Sequence, residues 1–307
     1  MANNDFALDG VFAAVLTPLT AAGAPDPDLM AAHCRWLLAN GCDGLGVLGT
    51  TGEANSFGLK ERIGILDGLA EAGIPGEKLM PGTGSCAIPD AVALTRVALG
   101  HGAAGVLMLP PFYYKNVSDD GLFAAYSEVI QQVGDDALRI CLYHFPQMSG
   151  VPITYPLIER LFKEYPGTVV GMKDSSGDID NMSGAAKNFP GFAVFSGSDE
   201  LLLPLLEAGG AGCITACANV ASVLAAEVYA GWLKGNDISA ANEKLVAVRQ
   251  TIYQFPLPPA LKTLMARHSG DEGWLNVRPP LMRLGDADKE KLFQGFDVIG
   301  FELPLAA

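Results

Sequence analysis

The sequence has few basic residues. Its 307 residues include 20 lysines and arginines against 34 aspartates and glutamates, which gives a formal net charge of -14. Nucleic-acid phosphates and anionic membrane surfaces bind basic faces, so this balance argues against both as partners. An anionic small-molecule substrate is still possible, because one lysine and a few backbone N–H groups make a pocket locally positive.

Long apolar runs, metal-ligand patterns and paired cysteines are also missing from the sequence. No stretch approaches the roughly 20 apolar residues of a membrane helix. Residues Met1–Phe6 lack the basic and apolar regions of a signal peptide. The four histidines show no metal-ligand spacing, and the six cysteines contain no CxxC pair. We therefore expect a cytoplasmic protein with reduced cysteines and no bound metal.

Hydrophobic patterning predicts an α/β fold. Short apolar runs alternate with amphipathic stretches of helical period. The eight runs are Val11–Leu16, Leu45–Leu48, Leu79–Met80, Gly105–Leu109, Ile140–Tyr143, Val169–Met172, Phe192–Phe195 and Cys213–Thr215. Eight strands alternating with eight helices is the count of a (β/α)8 TIM barrel, which we assign to residues 1–234. A doubly wound sheet is the alternative, although such sheets usually have fewer strands and a second domain.

The last part of the chain, residues 235–307, has a purely helical pattern with helices expected at 240–253, 259–268 and 288–296. We expect a C-terminal helical extension that packs on the barrel or on a neighbouring subunit.

Lys173 directly follows the apolar run 168–172, and a polar turn follows it. The carboxyl ends of barrel strands form the face where active sites lie, so its side chain would reach a pocket mouth. Partial burial of an ammonium favours the neutral amine, which attacks carbonyl groups. A salt-bridged or snorkelling lysine is the alternative on this segment alone.

Hydroxyl, phenol and carboxylate groups follow other predicted strands. In Gly49–Glu53, Thr50 and Thr51 lie between glycines, a pattern that suits carboxylate binding or an ordinary capped turn. Tyr143 ends its run, where a phenol can move protons beside a lysine or simply pack in the core. Asp199–Glu200 can bind sugar hydroxyls or stabilise the start of the next helix.

The segment Gly44–Gly49 matches the GxGxxG pattern of dinucleotide-binding sites. Its context argues against that function, because Leu45 and Val47 look like strand residues and a polar loop follows where a helix should begin. We interpret these glycines as positions of close packing within a strand.

Five short motifs follow one another along the chain. They are GTTGE at 49–53, Tyr143 followed by Pro146, Gly171–Gly177, Gly197–Asp199 and Gly212–Asn219. Together they resemble the dihydrodipicolinate synthase / N-acetylneuraminate lyase family of pyruvate-dependent class I aldolases. The resemblance implies a TIM barrel with C-terminal helices, usually assembled as a homotetramer that is a dimer of dimers. It also implies action on pyruvate and an aldehyde without a metal or an organic cofactor.

The resemblance assigns roles by position. Lys173 would form a Schiff base with pyruvate, and Tyr143 would relay protons. Thr51 would contact the pyruvate carboxylate, Thr50 would extend the relay, and Tyr114 would reach into a neighbouring subunit's site. The other candidate substrate-binding positions are Ile214, whose main chain would border pyruvate, and His144, Met148, Gly197, Asp199, Glu200 and Ala216.

One position departs from the synthase pattern. Dihydrodipicolinate synthases carry an arginine two residues after the proline of the tyrosine motif, where it binds the second substrate's carboxylate. Here Met148 stands at that position, and a thioether cannot replace a bidentate guanidinium. The segment is closer to the lyase branch, although His144 and Ala216 depart from the sialic acid lyases.

The sequence therefore predicts a lyase or aldolase that reversibly cleaves a 2-keto-3-deoxy sugar acid, or a related 2-oxo acid, to pyruvate and an aldehyde. Three alternatives remain open. They are a 4-hydroxy-tetrahydrodipicolinate synthase, a dehydratase acting on the same imine, and a non-catalytic member that binds pyruvate.

Overall fold

The computed structural model describes residues 8–304, an α/β fold around a curled parallel sheet. Its strands are β1 (Gly10–Ala13), β2 (Gly44–Leu45), β3 (Val106–Met108), β4 (Ile140–His144), β5 (Val169–Asp174), β6 (Ala193–Ser196) and β7 (Gly212–Thr215). Their spatial order is β2-β1-β7-β6-β5-β4-β3, and every neighbouring pair is parallel. The parallel pairing follows from the strand–helix alternation that the sequence predicts.

The segment 79–83 lies between the two edge strands, β2 and β3. Two isolated parallel bridges pair Leu79 with Leu45 and Gly82 with Leu107. The strand expected at Leu79–Met80 is therefore present only as bridges and not as a strand of its own. Pro81, which has no N–H to donate, stands between the two bridges and prevents a continuous ladder.

Helices follow the strands along the chain. They are α1 (Pro27–Ala39), α2 (Leu59–Glu71), α3 (Ile88–Gly100), α4 (Asp119–Val133), α5 (Pro146–Ser149), α6 (Tyr155–Glu164), α7 (Ile179–Asn188), α8 (Leu202–Glu207), α9 (Ala218–Leu233), α10 (Ser239–Ile252), α11 (Leu257–Ser269) and α12 (Asp286–Ile299). The helical stretches predicted from the sequence are all found. The short helix α5 was not predicted; a proline begins it and a left-handed glycine, Gly150, ends it.

The sheet separates two apolar cores. Side chains inside its curve, among them Phe12, Cys141 and Phe195, form a small inner cluster. Side chains on the other face of the same strands, such as Leu142, pack against the helices. Because successive residues of a strand point to opposite faces, the inward position of Cys141 also directs residue 143 into the curve of the sheet.

Three helices, α10 to α12, follow residue 235, as the helical period predicted. Leu245, Leu261 and Leu292, one from each helix, are fully buried in a cluster shared with α9. Within residues 8–304, every helix is too short or too polar to cross a bilayer.

Candidate active site

Lys173 lies at the carboxyl end of β5 and is 95% buried, with 5% of its surface exposed. Strand register pairs it with Tyr143 of β4. Its Nζ lies 4.4 Å from the centre of the Tyr143 ring, within reach of a cation–π contact. Among residues 8–304, no carboxylate oxygen lies within 4.0 Å of this nitrogen. The salt-bridged alternative therefore does not hold in the part of the chain that is described.

Thr50 and Thr51 lie on the loop that follows β2. The Thr50 hydroxyl lies 3.4 Å from the Tyr143 hydroxyl, a long hydrogen bond in which either oxygen can donate. Thr51 is buried beside it. Leu48 and Glu53, which flank the loop, both have left-handed backbone conformations, with φ of 57° and 56°. Residues with a Cβ rarely adopt this conformation, so neighbouring contacts must hold the loop in place.

Lys173, Tyr143 and both threonines line one cavity of about 740 Å³ at the carboxyl ends of the strands. Three more of the expected residues, Met148, Gly197 and Ala216, also line it. Much of the remaining lining consists of neutral side chains that donate and accept hydrogen bonds, namely Asn55, Ser56, Gln147, Ser175, Ser176 and Ser198.

Tyr114, Ile214 and His144 do not line this cavity. Tyr114 is 73% exposed and packs edge-on against Tyr113, with ring centres 5.3 Å apart. Ile214 is fully buried in the inner apolar cluster. His144 follows Tyr143 on β4 and points to the opposite face, where its Nδ1 accepts a hydrogen bond from the backbone N–H of Ile153 at 3.0 Å. Burial lowers the pKa of His144, with the nearby acidic groups acting in the opposite direction.

Asp199 and Glu200 also lie outside the cavity lining, where they flank Arg249. Asp199 is fully buried and accepts a hydrogen bond from the Thr215 hydroxyl at 2.7 Å, while Arg249 Nη1 lies 3.5 Å from its other oxygen. Burial raises the pKa of Asp199, and the Arg249 guanidinium opposes that shift. Glu200 lies 3.7 Å from Arg249 Nε. These carboxylates therefore surround a cation rather than face the cavity.

The outer wall of the cavity comes from the C-terminal part of the chain. The sequence predicted the helices of this part but not that they line a cavity. Arg249 and Tyr253 of α10 line it, with the guanidinium stacked 3.7 Å from the tyrosine ring centre. Pro256–Pro258 and Pro280–Leu281 complete this wall. The one local signal was the four-residue spacing of Arg249 and Tyr253, which puts both on one helix face.

Glu53 also lines the cavity and was not among the candidate site residues. It ends the Gly49–Glu53 loop, and its carboxylate is paired with Lys262 of α11 at 2.5 Å. Within residues 8–304, no group of three or more His, Cys, Asp or Glu side chains is arranged to hold a metal ion.

Comparisons with known proteins agree with the resemblance seen in the motifs. A family model described as the dihydrodipicolinate synthetase family matches residues 7–296. An uncharacterized DapA-like lyase of Chloroflexus aurantiacus is 35% identical over 291 residues, which cover 94% of this chain and 96% of the relative. A 4-hydroxy-tetrahydrodipicolinate synthase of Neisseria meningitidis is 30% identical over 289 residues, with 93% and 96% of the two chains covered.

Solved structures give the same result. Dihydrodipicolinate synthase from Agrobacterium tumefaciens superposes with a TM-score of 0.87 at 36% identity, covering 95% of this chain and 99% of that one. YagE, a prophage protein of the dihydrodipicolinic acid synthase family from E. coli K12 crystallised in complex with pyruvate, superposes with a TM-score of 0.88 at 25% identity and the same coverage. This chain belongs to the dihydrodipicolinate synthetase family.

Proposed function

We propose that this protein is a class I lyase that reversibly cleaves a 2-keto-3-deoxy sugar acid, or a related 2-oxo acid, to pyruvate and an aldehyde. The observation that carries the proposal is the meeting of Lys173, Tyr143 and Thr50 in one cavity, with no carboxylate oxygen within 4.0 Å of the lysine nitrogen among the described residues. Membership of the dihydrodipicolinate synthetase family supports lyase chemistry on a small 2-oxo acid.

In the proposed mechanism, the Lys173 amine attacks the keto carbon, and water leaves as the imine forms. Thr51 and nearby backbone N–H groups hold the carboxylate. Tyr143 takes the proton of the C4 hydroxyl as the C3–C4 bond breaks, and the bonding electrons pass into the protonated imine. The aldehyde leaves, C3 is then protonated, and water releases pyruvate and regenerates the amine. Thr50 passes the proton onward.

Tyr114 is proposed to complete this relay in a neighbouring subunit. Its 73% exposure in the single chain leaves the phenol free to enter another copy's cavity. The assembly proposed with it is a homotetramer, without a metal or an organic cofactor. The main chain at Ile214 is proposed to border the bound pyruvate.

The charges around the cavity favour a substrate whose distal end is neutral. Glu53 is neutralised by Lys262, and Arg249 lies between two carboxylates. Lys173 is then the one lining cation in residues 8–304 with no carboxylate beside it. Met148, 64% exposed at the cavity, offers no charge to a second acid group. The neutral hydroxyl and amide groups of the lining suit the hydroxyls of a sugar chain.

We also propose that the segment 79–83 completes a (β/α)8 barrel over residues 1–234, because its bridges join both edge strands. Residues 235–307 would form the C-terminal helical extension. Both ranges include residues outside those described, 1–7 and 305–307.

The function is tested with a panel of 2-keto-3-deoxy sugar acids scored for pyruvate release, beside condensation of pyruvate with aspartate semialdehyde. We expect pyruvate release from at least one sugar acid at about ten times the synthase rate or more, a difference of about 1.4 kcal/mol in barrier. We expect Met148→Arg to retain pyruvate release, because the substrate has no acid group at that position.

Each alternative predicts a different result in the same panel. Aspartate-semialdehyde turnover equal to that of the best sugar acid would favour the synthase, which the family relatives named as synthases make the second candidate. Loss of a keto-deoxy acid without pyruvate or aldehyde would indicate a dehydratase. Binding of pyruvate with no turnover of any partner would indicate a non-catalytic member.

A further inference from the structure

Glu53 is buried at the end of the Gly49–Glu53 loop with both of its carboxylate oxygens engaged. One oxygen accepts from Lys262 Nζ at 2.5 Å, and the other accepts from the backbone N–H of Arg278 at 3.1 Å. Both donors come from the C-terminal part of the chain. Although Glu53 lines the cavity, each of its two oxygens is already held by a donor from the C-terminal part of the chain. Its contribution is therefore to the position of the loop.

Burying the Lys262 ammonium at its position on α11 is energetically unfavourable by itself. Its side chain is fully shielded from solvent, and a lone ammonium there would lose its hydration without compensation. Burial lowers the pKa of Lys262, and the Glu53 carboxylate acts against that shift. Apart from Glu53, Nζ donates to the Asn276 carbonyl oxygen at 2.8 Å. Replacing a buried ion pair by apolar residues is often neutral or stabilising, so the pair is weak evidence of a contribution to stability alone.

The Arg278 side chain contacts segments on either side of this loop in the sequence. Its side chain donates to the carbonyl oxygen of Ser56 at 2.7 Å and to that of Gly23 at 2.8 Å. It also forms an ion pair with Glu61, 2.5 Å away. The chain around Glu53 is thus tied to the C-terminal segment at several points.

The loop needs such support, because Leu48 and Glu53 are both in the left-handed region. Between them lies Thr50, whose hydroxyl makes a long hydrogen bond of 3.4 Å with that of Tyr143. A small displacement of the loop would break this contact.

We propose that Lys262 is a positioning residue: through Glu53 it holds Thr50 and Thr51 in the geometry that the reaction requires. The inference depends on the proposed function, because it assigns the held hydroxyls to that chemistry. It gives the C-terminal helices a role in turnover as well as in packing.

The test separates positioning from folding by comparing single and double variants. Lys262→Met alone leaves the buried Glu53 carboxylate with the Arg278 backbone N–H but without its cation, so we expect a large fall in melting temperature. Lys262→Met combined with Glu53→Gln removes both charges, and we expect most of the melting temperature to return. In this folded double variant kcat for sugar-acid cleavage should remain about 100-fold below wild type, because misplaced groups lose that much. Glu53→Gln alone keeps an acceptor for Lys262, so its kcat should lie between those of the wild type and the double variant.

Controls make each outcome informative. Lys291→Met, an exposed lysine of α12, should leave kcat unchanged. Borohydride trapping of pyruvate on Lys173 should still occur in the double variant, at higher pyruvate concentration. A double variant with wild-type kcat and KM would overturn the positioning role, as would a Glu53→Gln variant with wild-type kinetics if the double variant does not fold. Wild-type protein that traps no pyruvate would instead overturn the proposed function.

Discussion

Tyr143 lies between the two groups with which it is proposed to work. Its ring centre is 4.4 Å from Lys173 Nζ, and its hydroxyl is 3.4 Å from that of Thr50. Phe145 stacks on the same ring, with centres 5.9 Å apart. The ring is thus held by packing, and the hydroxyl is placed beside Thr50 for the proposed proton relay.

Replacing Tyr143 by Phe removes the proton relay and keeps the packing. We expect kcat for sugar-acid cleavage to fall by about 10² to 10⁴-fold, the usual contribution of a general acid–base group. Pyruvate should still be trapped on Lys173, although more slowly. Stopped assays of pyruvate release, with Phe145→Leu as a packing control, provide the measurement. A kcat unchanged in Tyr143→Phe would exclude the relay.

Strand alternation decides which predicted residues reach the cavity. The sequence placed Lys173 and Tyr143 at strand ends, and the β4–β5 register brings them together. It could not show that His144 points the other way, because both faces of a parallel strand are buried and both read as apolar. If Tyr143 faces the cavity, strand alternation excludes His144 from the cavity lining.

At the scale of elements, α10 docks on the sheet through a charge contact. Arg249 lies beside the buried Asp199, which also accepts the Thr215 hydroxyl of β7. Arg249 Nη1 and Asp199 Oδ2, the oxygen that does not bind Thr215, are both buried without a hydrogen-bond partner among the described residues. The attraction between these two charges therefore has to offset the cost of removing both of them from water.

Breaking this pair should destabilise the protein more than breaking an exposed one. We expect Arg249→Met to lower the free energy of unfolding by about 3 kcal/mol, because Asp199 is left buried without the cation that faces it. Adding Asp199→Asn should restore more than half of the loss. The matched control is Arg267→Met, whose pair with Asp297 is largely exposed and should contribute about 1 kcal/mol or less. Equal losses for the two arginine variants in urea denaturation would contradict this account.

The helical period predicted that α10 exists but not what it covers. An apolar stripe identifies the face that packs, whereas the partner of that face depends on distant parts of the chain. The cavity wall formed by Arg249 and Tyr253 was missed for this reason. The pairing of Glu53 with Lys262, which lie 209 residues apart, was invisible for the same reason.

At the scale of the whole molecule, the alternation of apolar runs and helical stretches was enough to predict the α/β fold. Seven of the eight runs are strands, and the eighth is a bridged segment interrupted by Pro81. Most of the charged residues behind the net charge of -14 lie outside the cavity. Inside it, Lys173 has no carboxylate beside it among the described residues. That contrast would let an acidic protein attract the proposed 2-oxo acid.

Covalent capture of pyruvate by Lys173 tests the central claim most directly. Borohydride reduces an imine to a stable amine, and peptide mapping then locates the added group. The account predicts one pyruvate-derived group per chain, on the peptide that contains Lys173, and none in a folded Lys173→Met variant. Wild-type protein that gains no such group, or gains it equally on other lysines, would contradict it.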